Sequence, residues 1–259
     1  MCKLFNWLNN KKGKLSIIGL GPGKYIFRTL QAEYALKKAD WLYGYYSYIN
    51  RLLLNKKKIY SDNHFEVTRA HEAIINATNG NRVAIVSGGD SGIFAMSAVV
   101  CEEIDQGPAA WRNLYIEIIP GVTAMLAVAA ACGAPLGNDF CAISISDNFK
   151  PWETIIRRLD IAAKGGFIIA LYNPVSNNRP WQLYAAFTII RRHLSHNTIV
   201  IFGRAVGRKN EKIIFTTLAN SPPDWVDMST LVIIGSEKTR IVKRNNGQPP
   251  LIYSSRIIL

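Results

Sequence analysis

Short apolar runs alternate along this chain with longer stretches in which apolar residues return every three or four positions. The first run, Leu15-Ser16-Ile17-Ile18-Gly19-Leu20, is brief and rich in β-branched residues, which predicts a buried strand. A glycine loop, a helix over 29–39 and a short strand over 41–44 follow. Residues 66–78 have helical spacing, with Val67, Ala70, Ile74, Ile75 and Ala77 on one face. A strand over 82–86, a helix over 93–104 and a strand over 114–119 come next, the last ending at Pro120-Gly121. A helix of small residues over 123–132 is stopped by Gly133-Ala134-Pro135. This alternation predicts a mostly parallel sheet with helices around it.

Residues 135–138 make the best linker, and a second half begins after them. It predicts a strand over 140–146, a helix over 152–163, a strand over 167–172 ending at Asn173-Pro174, and a helix over 180–193. Strands are predicted over 198–203, 212–216 and 230–235. Two α/β domains are expected, 14–136 and 139–240, with tails 1–13 and 241–259. The C-terminal tail is basic, contains proline and is expected to pack loosely.

Composition narrows the function. Of 259 residues, 49% are hydrophobic and 19% charged, which supports a packed core and excludes a disordered chain. The net charge of +13 attracts anions: nucleic acid, an anionic membrane or a small polyanion. The basic residues are scattered, and the densest cluster, Lys56-Lys57-Lys58, reads as solvated surface. No pair among Cys2, Cys101, Cys132 and Cys141 has CxxC spacing, so no metal site is expected. Cys101 and Cys132 fall in apolar helical patterns and are expected to be buried thiols, as in a reducing cytoplasm. The N-terminus lacks the apolar core of a signal peptide, and no run approaches 18 apolar residues, so neither export nor a membrane span is expected. His64, His71, His193 and His196 sit in no motif and are expected in surface or core roles.

Three loops follow predicted strands. Ser87-Gly88-Gly89-Asp90-Ser91-Gly92 crowds three glycines and a carboxylate into one strand end, which suits close approach of a ligand. Gly19-Leu20-Gly21-Pro22-Gly23 resembles a dinucleotide fingerprint but has Lys24 at the third glycine position. Pro22 also removes a backbone N–H that a pyrophosphate needs, so this loop is a tight turn or the seat of another cofactor. In Pro120-Gly121-Val122-Thr123-Ala124, the Thr123 hydroxyl can cap a helix or meet a ligand. Loops at the carboxyl ends of strands in an α/β sheet line one crevice, so the three make a plausible common site.

Taken in order, these loops resemble those of the tetrapyrrole (corrin and porphyrin) methyltransferases, from about residue 14 to 240. Longer stretches resemble one branch, which methylates C17 of precorrin-3B or its cobalt form with ring contraction in cobalamin synthesis. They are Gly44-Tyr45-Tyr46-Ser47-Tyr48, residues 87–96, residues 134–140, Ile145-Ser146-Asp147, Pro151-Trp152-Glu153, Ala170-Leu171-Tyr172-Asn173-Pro174 and Arg179-Pro180-Trp181-Gln182. Two places depart from the family pattern: Lys24 and Thr29-Leu30 replace an acid and a Thr-Pro pair, and residues 202–208 replace an Asn-Ala-Gly-Arg-like turn.

The resemblance implies a two-domain α/β fold with a mostly parallel sheet in the first domain and a mixed sheet in the second. It places S-adenosylmethionine in the cleft between them. It assigns cofactor contacts to Pro22, Gly88, Gly89, Asp90, Ile93, Thr123 and Ala124, and to Tyr172, Asn173 and Ala205. It also implies a homodimer and a polyanionic tetrapyrrole substrate, which the basic excess suits. Tyr45, Tyr48, Ser146 and Asp147 are candidates for facing the substrate and moving protons, and Arg179 for clamping a carboxylate through its fork. Methylation of another ring position without contraction stays open as an alternative. So do methylation of ribosomal RNA and a basic nucleic-acid-binding module. No basic–aromatic strand or recognition-helix motif stands out, so neither nucleic acid nor membrane is expected as a partner.

Overall fold

In the computed structural model, residues 13–52, 54–62, 65–176, 178–220, 222–245 and 247–257 are described. Cys2, His64 and most of the N-terminal tail lie outside the described residues. The chain divides into two compact units, one up to residue 123 and one from residue 124.

The first unit is a parallel five-stranded sheet. Its strands are β1 (Lys14–Gly19), β2 (Trp41–Tyr45), β3 (Lys57–Ser61), β4 (Arg82–Ser87) and β5 (Tyr115–Ile119), in the order β3-β2-β4-β1-β5. Side chains alternate across the sheet. Leu15 and Ile17 of β1, with Val83 and Ile85 of β4, join Ala70, Ala73 and Ile74 of helix α3 (Glu66–Thr78) on one face. Ile18, Ala84 and Val86 point the other way, onto Ala32, Ala35 and Leu36 of helix α1 (Leu30–Lys38). Each fully buried Leu or Ile here contributes roughly 1.5–3 kcal/mol. The Thr29 hydroxyl caps α1 by accepting the Ala32 N–H at 3.1 Å.

The structure revises several expectations in this unit. Val67 and Ile75 of α3 are exposed, and Arg69 takes the buried place beside Ala70 and Ala73. The helix expected from residue 93 begins later, as α4 (Met96–Gln106), because Phe94 takes a left-handed backbone (φ 51°) that interrupts it. Cys101 lies on the exposed face of α4, whose buried residues are Met96, Ser97 and Val100. Lys57 and Lys58 lie in edge strand β3: Lys58 Nζ donates to the Leu52 carbonyl at 2.9 Å, and Lys57 sits over the Trp41 ring. Lysines on an edge discourage pairing with another chain. The short helix α2 (Tyr46–Ile49) follows β2 directly.

The second unit opens with helix α5 (Ala124–Cys132), which packs on the sheet of this unit. That sheet is mixed, in the order β10-β9-β11-β8-β7. Its strands are β7 (Phe140–Ser144), β8 (Ile168–Tyr172), β9 (Ile199–Arg204), β10 (Lys212–Thr217) and β11 (Thr230–Ile234). Only β7 and β8 are paired in parallel. Helices α6 (Trp152–Lys164) and α7 (Gln182–Ile190) cover one face through Leu159, Ala163, Leu183 and Phe187. Against the other face, α5 comes so close that a Cβ at Gly203 would stand 2.4 Å from Val128.

The C-terminal segment does not pack loosely. Strands β12 (Thr239–Val242) and β13 (Leu251–Ser254) form a hairpin, and β13 pairs with β6 (Gly133–Ala134). Alternation in β13 buries Ile252 and Ser254, whose Oγ donates to the Pro135 carbonyl at 2.7 Å. No helix among the described residues is long and apolar enough to cross a membrane.

Candidate active site

In the first unit every strand runs the same way, so all loops leaving their carboxyl ends gather at one edge. β4, β1 and β5 are neighbours there, and their three loops are stitched by backbone. Gly21 and Gly89 exchange N–H···O bonds at 3.0 and 2.9 Å, and both have positive φ (74° and 68°). Glycine is required for approach as well as conformation: a Cβ at Gly121 would lie 2.3 Å from the Gly89 carbonyl oxygen. The Asp90 carboxylate locks the third loop on, accepting the Gly92 N–H at 2.7 Å and the Gly121 N–H at 2.8 Å. Ser91, fully buried, donates to the Ile119 carbonyl at 3.2 Å. Asp90 therefore spends an oxygen on each of two backbone donors.

The candidate residues of this unit are brought together as follows. Gly88, Gly89 and Asp90 lie on the stitched loop, Pro22 follows Gly21 in the facing loop, and the buried Thr123 closes the third. Ile93 is part-exposed beside the strained Phe94. A Cβ at Gly88 would stand 2.8 Å from the Tyr48 ring, so Tyr48 lies close against the loop, and Tyr45 meets Tyr48 edge-on with centroids 5.5 Å apart.

Arg69 was not singled out in the sequence, because it sits on the apolar face of α3. It is 4% exposed. Nε donates to Ser61 Oγ and Nη2 to the Asp62 carbonyl, both at 2.7 Å, and Nη1 approaches Met96 Sδ at 3.4 Å. Burial lowers its pKa from the ordinary arginine value.

In the second unit, β11 lies antiparallel between β8 and β9, so β8 and β9 are parallel to each other. With β7 they deliver their carboxyl ends to one edge. There the backbone is strained: Asn173 (φ 54°) and Ala205 (φ 50°) are left-handed without being glycine. Such residues persist only where the surroundings over-determine them, and they cluster at functional sites. Asn173 Nδ2 donates to Ser144 Oγ at 2.9 Å, and the Ala205 N–H donates to the Ser229 carbonyl at 2.9 Å. Two strand spacings separate them, roughly 10 Å. The Tyr172 hydroxyl accepts the N–H of Met125, one residue into α5 from Ala124, at 3.2 Å.

Arg179 gathers the remaining candidates. Nη1 is shared among Ser146 Oγ and Asp147 Oδ1, both at 2.8 Å, and Asn148 Oδ1 at 2.6 Å, while Nε donates to Ser176 Oγ at 3.2 Å. The guanidinium beside Asp147 holds its carboxyl below the ordinary aspartate value.

An α/β chain of two units, with glycine loops at one carboxyl edge and strained non-glycine residues at another, suits a cofactor held mainly by backbone. A family model described as Tetrapyrrole (Corrin/Porphyrin) Methylases matches residues 14–222, and the chain belongs to that family. It is a methyltransferase of cobalamin biosynthesis that uses S-adenosylmethionine. It is 52% identical over 246 residues to the precorrin-3B C(17)-methyltransferase of Sinorhizobium sp, covering 94% of this chain and 96% of that protein. A probable cobalt-factor III C(17)-methyltransferase of Salmonella typhimurium is 36% identical, covering 88% of this chain and 94% of its own length. The crystal structure of the methyltransferase CobJ superposes with a TM-score of 0.88 at 38% identity, covering 94% of this chain and all of that one.

Proposed function

We propose that this protein methylates C17 of precorrin-3B and contracts the ring. The 52% identity with the Sinorhizobium enzyme across nearly the whole of both chains carries the reading, against 36% for the cobalt-factor III relative. S-adenosylmethionine supplies the electrophilic methyl group, so the protein's task is orientation and exclusion of water. In the first unit, Pro22, Gly88, Gly89, Asp90, Ile93 and Thr123 are proposed to hold the cofactor. The loop backbone offers the binding surface, and Asp90 acts by fixing Gly121 against Gly89. In the second unit, Ala124, Tyr172, Asn173 and Ala205 are proposed for the same task, the last two through left-handed backbone.

Tyr45, Tyr48, Ser146, Asp147 and Arg179 are proposed to face the substrate. Ring contraction needs a group that moves a proton at a ring hydroxyl, and such a group must reach it by a hydrogen bond. Ser146, polarised by Arg179 at 2.8 Å, and the Tyr48 phenol are the proposed groups. The reading includes a cytoplasmic homodimer with neither nucleic acid nor membrane as partner. Purified protein given methyl-labelled S-adenosylmethionine and precorrin-3B should yield a ring-contracted product labelled at C17. Label at another ring position, or none with any corrin precursor, overturns the reading.

A further inference from the structure

The first unit has a small hollow of about 10 Å³ beside the stitched loops, lined by Gly21, Gly23, Gly88, Tyr48, Arg28 and Arg51. We propose that Arg51, exposed at its mouth, grips a carboxylate arm of the substrate and so sets specificity for an acid-bearing macrocycle. This rests on the tetrapyrrole reading above.

The arginines near the candidate sites differ in what they have left to give. Arg28 is ion-paired with Glu33 at 2.6 Å. Arg69 is buried on Ser61 and backbone carbonyls. Arg179 is drawn onto Ser146, Asp147 and Asn148. Among the described residues Arg51 has no carboxylate partner, and its side chain lies 5.9 Å from the Tyr48 ring centroid. A guanidinium against an aromatic ring keeps its planar N–H edge free for a carboxylate fork.

The position is also prepared. The Arg51 N–H donates to the Tyr48 carbonyl at 3.3 Å, the next residue, Leu52, is buried, and Tyr48 is itself pressed on Gly88. Anchoring the backbone at Arg51 before binding reduces the ordering cost that the ligand must overcome. No motif marks Arg51, because it stands alone after a short helix.

Arg51→Ala tests the proposal, read against wild type by titration with uroporphyrin, a tetrapyrrole bearing eight carboxylates, and separately with S-adenosylhomocysteine. The expected result is about a tenfold to hundredfold weaker uroporphyrin affinity, as for loss of a charge-assisted pair. S-adenosylhomocysteine affinity and thermal midpoint should stay unchanged, and Arg51→Lys should restore only part of the loss. With precorrin-3B, KM should rise while kcat changes little. Unchanged uroporphyrin affinity, wild type that binds no uroporphyrin, or a loss confined to S-adenosylhomocysteine overturns the clamp. Failure of the C17 reading shows separately, as wild type that binds uroporphyrin but does not label C17.

Discussion

The carboxyl edges of the two sheets are held by opposite means. In the first unit, backbone holds backbone: Gly21 against Gly89, and Gly121 within reach of both Gly89 and Gly19. One side chain, Asp90, adds the third loop. In the second unit, side chains bond to one another: Asn173 leans on the Ser144 hydroxyl, and Arg179 ties the side chains of Ser146, Asp147 and Asn148. The first arrangement tolerates almost no added volume but leaves Tyr48 and Arg51 beside the loops with groups unspent. The second has committed much of its polar capacity. Loop backbone then suits cofactor binding, and free side chains suit recognition of a variable, charged substrate.

The largest effect should come from adding one methyl group to the first edge. Gly121→Ala places a Cβ 2.3 Å from a backbone oxygen, with no flexible side chain to move aside. A loss of about 3 kcal/mol is expected from urea denaturation, together with loss of S-adenosylhomocysteine binding. Gly166→Ala is the control: φ is 71° but nothing stands within 4 Å, so only strain of about 1 kcal/mol is expected. Equal losses for the two would remove the distinction between close approach and backbone strain.

Next comes Asn173→Ala, which loses the Ser144 hydrogen bond and puts a less tolerant residue at φ 54°. A cost of about 2 kcal/mol follows, of which Asn173→Gly should recover the strain but not the bond. If glycine destabilises as much as alanine, the strain assignment fails.

The Asp147–Arg179 pair should give a smaller, pH-dependent effect. The folded Asp147 carboxyl lies below its ordinary value, so folding favours the ionised form. Its stabilisation is complete above the unfolded pKa of about 3.9 and is lost as pH falls through the depressed folded value. The stability gap between wild type and Arg179→Gln should therefore narrow below about pH 4. A gap that stays constant down to pH 2 would mean that Ser146 and Asn148, not the carboxylate, carry the clasp.

Thiol labelling compares the units with the least perturbation. Burial pushes Cys132 and Cys141, both in the second unit, up to about 11, whereas Cys101 in the first unit is exposed. In a Cys2→Ser background at pH 8, Cys101 should react in the folded protein. Cys132 should react only as the second unit opens, and the half-buried Cys141 more slowly than Cys101. Simultaneous labelling of all three would contradict the burial difference.

Much of the fold was legible because alternation and helical spacing record which face is buried. The β1, β4 and β5 runs and their glycine loops all stand near where periodicity puts them. β3 was missed because a run of lysines reads as surface, although Lys58 and Lys57 rest on Leu52 and Trp41. The C-terminal hairpin was missed because its partner, β6, is only Gly133–Ala134 and belongs to a turn in the sequence pattern. Arg69 was hidden on a helix face where an apolar residue was expected, and Cys101 was misplaced on α4 because an apolar helix need not be buried on every side.

The order of strands and helices, the three glycine loops and the family they resemble were determined by the sequence alone. Local φ/ψ preferences and the periodicity of burial are written residue by residue, and the loops keep their order whatever they touch. Only the tertiary structure decided that Asp90 joins the second loop to the third, that Asn173 and Ala205 are left-handed, and that Arg179 is engaged while Arg51 meets no carboxylate among the described residues. Those outcomes depend on which groups meet across long sequence separations, and a single chain of letters carries no record of a hydrogen bond already made.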